Sequence, residues 1–76
     1  MAANTIRDLL DQAFPGSEIH VEDRTGGGDH FQVIVVSPAF NGLSLIEQHK
    51  QVNAALASPL ADGTIHELRI RTKGTA

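Results

Sequence analysis

The sequence predicts an α+β domain of order α-β-β-α-β, with a three-stranded mixed sheet and its helices on one face. Three observations point to this class. Apolar residues recur at helical spacing near the N-terminus and again past the middle of the chain. Three other stretches alternate between apolar and polar residues or read as short, bounded apolar runs. The second helical stretch separates the last two strands, which makes it a crossover and predicts that those strands run parallel.

Ile6, Leu9, Leu10 and Ala13 form the first helical stripe. Thr5 before it and Asp8 three residues later predict a capping box, and Phe14-Pro15-Gly16 ends the helix. "SEIHVED" (17–23) alternates, with Ile19 and Val21 on one face and His20 and Glu22 on the other, the pattern of a half-buried strand. "RTGGGD" (24–29) reads as a flexible hairpin connection. "HFQVIVVS" (30–37) is apolar on both faces, with Phe31, Val33 and Val35 on one and Ile34 and Val36 on the other, so it is predicted to be the central strand. Pro38 and Asn41-Gly42 break the chain. Ser44 then caps a second helix with Glu47 at its third position. Leu45, Ile46, His49, Val52 and Leu56 are predicted as its apolar stripe, with Ser58-Pro59 closing it. The last strand is "IHELRIRT" (65–72), in which His66 is expected to share a face with Leu68 and Ile70.

A chain of 76 residues holds a single domain, with a core expected over about 5–72 and a frayed tail over 73–76. It has no cysteine, so no disulfide can supplement a small core, and a reducing, cytoplasmic setting is expected. The N-terminus lacks a basic region followed by an apolar one, and no apolar run approaches the ~20 residues of a membrane helix. A net charge of −3 and three aromatic residues argue against general nucleic-acid binding, whose affinity rests on Lys and Arg.

The four histidines are the main candidates for metal or acid–base chemistry. They show neither His-x-x-x-His spacing nor a cysteine partner, so the chain offers no self-sufficient zinc site. His20 falls on the polar face of the first strand, and His49 on the apolar stripe of the second helix, at the core edge or as a partner contact. His30 opens the second strand beside Asp29, which could orient an imidazole, although adjacent strand residues point apart. His66 opens the third strand, where an imidazole can serve either as a ligand with an open coordination position or as a polar plug closing the core. Gly26-Gly27-Gly28 lacks both Gly-x-Gly-x-x-Gly spacing and a following helix, so it is no phosphate cradle. No nucleophile elbow is present, and an enzyme is not expected. Arg69, Arg71 and Lys73 line the outer face of the third strand in one row with Glu67 and read as a solvated face, with phosphate tracking as the alternative.

The segments "VED…GDHFQVIVVSPAFNGLSLIEQHKQVNAAL…TIHELRIRT" resemble the BolA-like family from Ile6 to Thr72. The motifs that carry the resemblance are the apolar strand ending in Val-Ser, the Phe40-Asn41-Gly42 turn, Gln48-His49, the run from Val52 to Leu56, and Ile65-His66-Glu67-Leu68. The resemblance implies a fold similar to class II KH domains. It also implies partnership with a monothiol glutaredoxin and a shared 2Fe–2S cluster, acting in iron sensing or cluster delivery. By the Ile-His-x-Leu motif His66 is the implied cluster ligand, with thiolates from the glutaredoxin and glutathione completing the set and no cluster on the isolated chain. Many relatives carry a second ligand, Cys or His, in the loop after the first strand. Here Arg24 to Gly28 contains neither, and His30 is the nearest substitute. The KH-like likeness also implies an alternative, a nucleic-acid-binding transcription regulator using His49, Lys50, Arg69 and Arg71, although a KH Gly-x-x-Gly loop is missing and only weak binding is expected. A homodimer is a further expectation.

Overall fold

A computed structural model describes residues 2–76. Along the chain come α1 (Ala3–Ala13), β1 (Glu18–Asp23), β2 (His30–Val36), a 3-10 turn (Pro38–Phe40), α2 (Leu45–Ala55), the short α3 (Ala57–Ala61) and β3 (Glu67–Lys73). β2 is central, antiparallel to β1 and parallel to β3, as the crossover helix requires.

The alternation of β2 decides where the core lies. Phe31, Val33 and Val35 are buried, whereas Ile34 and Val36 on the opposite face are only half-buried. Ile6 and Leu10 of α1, Val52 of α2 and Leu56 at its end pack onto the first face, with Phe14, Ile19, Phe40 and Ile65 closing its margins. The helices therefore cover one side of the sheet and leave the other open. Each large apolar side chain buried this way contributes about 1.5–3 kcal/mol. Phe14 and Phe40 also meet ring to ring, with centroids 5.1 Å apart and planes tilted by 58°.

The structure corrects four local expectations. Thr5 is not an N-cap. α1 begins at Ala3 with Ala2 as an extended cap residue and no side-chain cap, because Ala3 still packs against the core and draws the helix a turn earlier. The stripe of α2 is also different: Leu45 and Ile46 are exposed by 60% and 69%. Val52 and Leu56 of the predicted stripe are buried as expected, and Gln48 and Ala55 complete the inward row. Gln48 earns that place by donating to Leu43 O at 2.9 Å and accepting from Thr72 Oγ1 at 2.6 Å. His49 beside it is half-buried. Ser58-Pro59 does not close α2, which ends at Leu56 by a break that starts α3. Pro59 is buried in the first turn of α3, where its missing N–H has no intrahelical acceptor to lose, and its carbonyl accepts from Ile65 N at 3.0 Å. Finally, the β1–β2 loop is held by defined bonds. The Asp23 carboxylate accepts from the N–H groups of Thr25 (3.3 Å), Gly26 (2.9 Å) and Gly28 (3.0 Å), while Gly26 and Gly28 take the positive φ that wraps the backbone around it.

The predicted Ser44 cap of α2 is present, although Glu47 reaches back to the Ser44 hydroxyl and not to its backbone N–H. Ser44 Oγ accepts from Glu47 N at 3.2 Å and donates to Glu47 Oε1 at 3.1 Å. Past β3, Asn41 Oδ1 accepts from Thr75 N (2.7 Å) and Ala76 N (3.1 Å), tying residues 75 and 76 to the turn before α2.

Candidate functional site

Parallel pairing sets the start of β2 against the start of β3, with His30 level with Glu67. The exit of the β1–β2 loop meets the entry to β3 at this end of the sheet. Asp29, the last loop residue, joins them through its backbone: its carbonyl accepts from His66 N at 2.8 Å and from Glu67 N at 3.2 Å. His66 therefore sits in a bend one residue ahead of β3. Ile65 turns inward to 3% exposure while the His66 side chain stays 62% exposed. His66 does not plug the core.

The Asp29 side chain repeats the connection. Oδ1 lies 2.8 Å from His30 Nδ1, and Oδ2 lies 3.2 Å from His66 Nδ1. Thr25 Oγ1 donates to Oδ1 at 3.4 Å. One carboxylate thus faces both imidazoles, whose rings meet edge to face with centroids 6.1 Å apart. The sequence expectation that Asp29 and His30 point apart is corrected here. It holds within a strand, but Asp29 belongs to the loop and is free of the pleat.

The electrostatics follow from this geometry. The hydrogen bond with His30 holds the Asp29 carboxyl below its ordinary range, against a smaller opposing effect of desolvation, and the charges of His30 and His66 and the Thr25 hydroxyl act in the same downward direction. An ionised carboxylate only accepts, so it favours the proton of each neutral imidazole on Nδ1 and leaves Nε2 as the lone-pair nitrogen. Nε2 of His66 has no partner among the described residues, whereas Nε2 of His30 lies 3.8 Å from Glu67 Oε2. Glu67 in turn accepts from Arg24 Nη1 (3.4 Å) and Arg69 Nε (3.2 Å). An imidazole oriented by a carboxylate, with an outward lone pair, can donate to a metal. Among the described residues no group of three or more His, Cys, Asp and Glu side chains could hold a metal ion by itself.

The other sequence candidates lie elsewhere. Lys50 is exposed on α2 and His49 is half-buried there, in the helix layer, while Arg69 and Arg71 project from the open face of the sheet. The structure does not bring these four together. The residue that sequence reasoning missed is Asp29 as a bridge. Its signal was the parallel register: once β2 and β3 are aligned at their starts, the residues just before each strand become neighbours.

The BolA-like protein family matches residues 6–76, and the chain belongs to it. It is 38% identical over 72 residues to the uncharacterized protein RP812 of Rickettsia prowazekii, covering 95% of this chain and 92% of that one. It is 37% identical over 71 residues to the acid stress protein IbaG of Escherichia coli K12, covering 93% and 81%. The solved structure of BolA1 from Arabidopsis thaliana superposes with a TM-score of 0.86 at 30% identity, covering 96% of this chain and 90% of that one. Order, sheet topology and helix placement are those of BolA proteins. No helix among the described residues is long and apolar enough to cross a membrane.

Proposed function

We propose that this chain is the partner of a monothiol glutaredoxin and contributes the His66 imidazole to a shared 2Fe–2S cluster used in iron sensing or cluster delivery. The observation that carries the reading is the exposed His66 ring, anchored at Nδ1 by Asp29 and without a partner at Nε2 among the described residues. The residues present fit one part of such a ligand set. They offer nitrogen donors and no thiolate, so the sulfur ligands must come from outside the chain, from the glutaredoxin and glutathione. His30 is the candidate second donor, less exposed than His66 and with Glu67 near its Nε2. A cluster with imidazole in place of thiolate supplies electron or cluster transfer at a shifted potential. This chain's own residues orient the ring and hold its proton on Nδ1. The role is that of a cytoplasmic binding partner and not of a catalyst.

Anaerobic reconstitution with a monothiol glutaredoxin, read by visible absorption and circular dichroism, tests this. The complex is expected to show a cluster spectrum that His66→Ala changes and His30→Ala changes less. A spectrum indifferent to His66→Ala, or a stoichiometric cluster on this protein alone, overturns it.

A further inference from the structure

The open face of the sheet carries an ordered charge pattern. Register places Glu18, Val36 and Lys73 in one row across β1, β2 and β3. The next two rows are His20, Ile34 and Arg71, then Glu22, Gln32 and Arg69. The β1 column is thus acidic at Glu18 and Glu22, and the β3 column is basic at Lys73, Arg71 and Arg69. Between them runs a half-buried stripe that includes Ile34 and Val36, neither of which packs against the core. The outer columns are exposed.

We propose that this face is a homodimer interface, in which two copies pack sheet to sheet about a two-fold axis parallel to the strands. The pattern selects that axis. Rotation about an axis along β2 sets the β1 column of one copy over the β3 column of the other without shifting the rows. Glu18 then faces Lys73 of the second copy, Glu22 faces Arg69, and Ile34 and Val36 meet their own counterparts on the axis. Rotation about an axis across the strands would instead set acid over acid and base over base. A surface that complements itself under one two-fold and repels itself under the other is what an isologous contact requires. The middle row contributes no ion pair, since it places His20 opposite Arg71. Within one copy Glu67 Oε1 accepts from Arg24 Nη1 at 3.4 Å and from Arg69 Nε at 3.2 Å, and Glu18 Oε1 lies 3.3 Å from His20 Nε2, so Arg69 and Glu18 share these exposed partners with the facing charges of the second copy.

The size of the face sets the strength. Strands ~4.8 Å apart and six residues of ~3.3 Å each give a face of roughly 10 by 20 Å between strand axes. That is below the ~800 Å² per partner of a standard stable interface, so the dimer is weak and transient. Its ion pairs are exposed at the rim, which makes it sensitive to salt.

Sedimentation equilibrium, with amide NMR shifts followed against concentration, tests the proposal. At low salt the shifts should move with concentration and concentrate at Gln32, Ile34, Val36 and their row neighbours. Raising salt from ~0.02 to ~0.5 M should weaken association about tenfold. E18K/E22K and R69E/K73E should each abolish self-association, because each makes both columns alike. Mixing these two variants should give a heterodimer tighter than the parent. The fourfold swap E18K/E22K/R69E/K73E, which keeps the net charge, should restore the homodimer. A chain that stays monomeric at 1 mM in low salt, shifts that map to Leu45 and Ile46 instead, or a fourfold swap that remains monomeric would overturn it.

Discussion

Phe31 and Ile65 are buried, at 0% and 3% exposure, and each has a histidine beside it in the chain that faces out. The side chains of His30 and His66 are 32% and 62% exposed. At the start of both parallel strands, one bond separates a residue that holds the fold together from one that presents chemistry. This small domain therefore divides its sequence between two tasks. The covered face is filled by apolar contact and tolerates little change. The strand starts are filled by charge and hydrogen bonds among Asp29, His30, His66 and Glu67, and almost all of these bonds are at least partly exposed.

The largest effects test that division directly. Phe31→Ala is expected to cost about 3–5 kcal/mol and Ile65→Ala about 2–5 kcal/mol, through lost transfer energy and the cavity left behind. In a domain of this size either change consumes much of the total stability. His66→Ala is expected to stay within ~0.5 kcal/mol, as a surface substitution away from buried features does. Urea denaturation of the three variants measures this. A His66→Ala loss matching that of Ile65→Ala would erase the distinction.

The covered face was legible in the sequence and the strand starts were not, for a physical reason. Burial follows local periods, so Ile6, Leu10, Ile19, Phe31, Val33 and Val35 could be placed by counting. Counting failed where a polar residue held an inward position, as Gln48 does, and where the core extended a helix past its apparent cap, as Ala3 does. It failed at Pro59 because a proline signals an end only in a helix interior, not in a first turn. The Asp29 bridge depends on the alignment of two strands that a crossover separates. Period-two reasoning inside either strand contains no term for it. His66 could be singled out by its motif, but its anchor could not.

A smaller effect sharpens the account of the histidine end through pH. The Asp29 carboxyl is depressed below 3.8, first by its hydrogen bond with His30. A depressed acid stabilises the folded state above its unfolded value, and the contribution is lost as pH falls below 3.8 through the lower folded value. Asp29→Asn keeps the shape and removes the charge. Its urea midpoint should lie below the parent's at pH 6, and the gap should narrow as pH falls from 3.8 to 2.5. At neutral pH, nitrogen NMR should show His66 losing its preference for the proton on Nδ1. A gap that persists undiminished at pH 2.5 would mean that Asp29 acts by packing, as a core residue does, and the contrast between the two regions would fail there.

Glu67 should give the smallest effect. Its carboxylate meets Arg24 at 3.4 Å, Arg69 at 3.2 Å and His30 Nε2 at 3.8 Å, and its side chain remains 44% exposed. Exposed pairs of this kind contribute about 0.2–1 kcal/mol at most, because water screens the charges and two long side chains must be held still. Glu67→Gln removes the charge while keeping the chain length, and Gln can still accept from one of the two arginines. The expected change in stability is under ~0.5 kcal/mol, and it should shrink further as salt is raised. Chemical denaturation at low and high salt measures both. Glu67 also faces His30 and not His66, so in the glutaredoxin complex Glu67→Gln should leave the His66-dependent part of the spectrum in place. A loss above 1 kcal/mol that salt does not reduce would mean that the charged rim is held as tightly as the core. The strand starts would then be part of the scaffold, and the one-bond separation between Phe31 and His30 would no longer divide structure from chemistry.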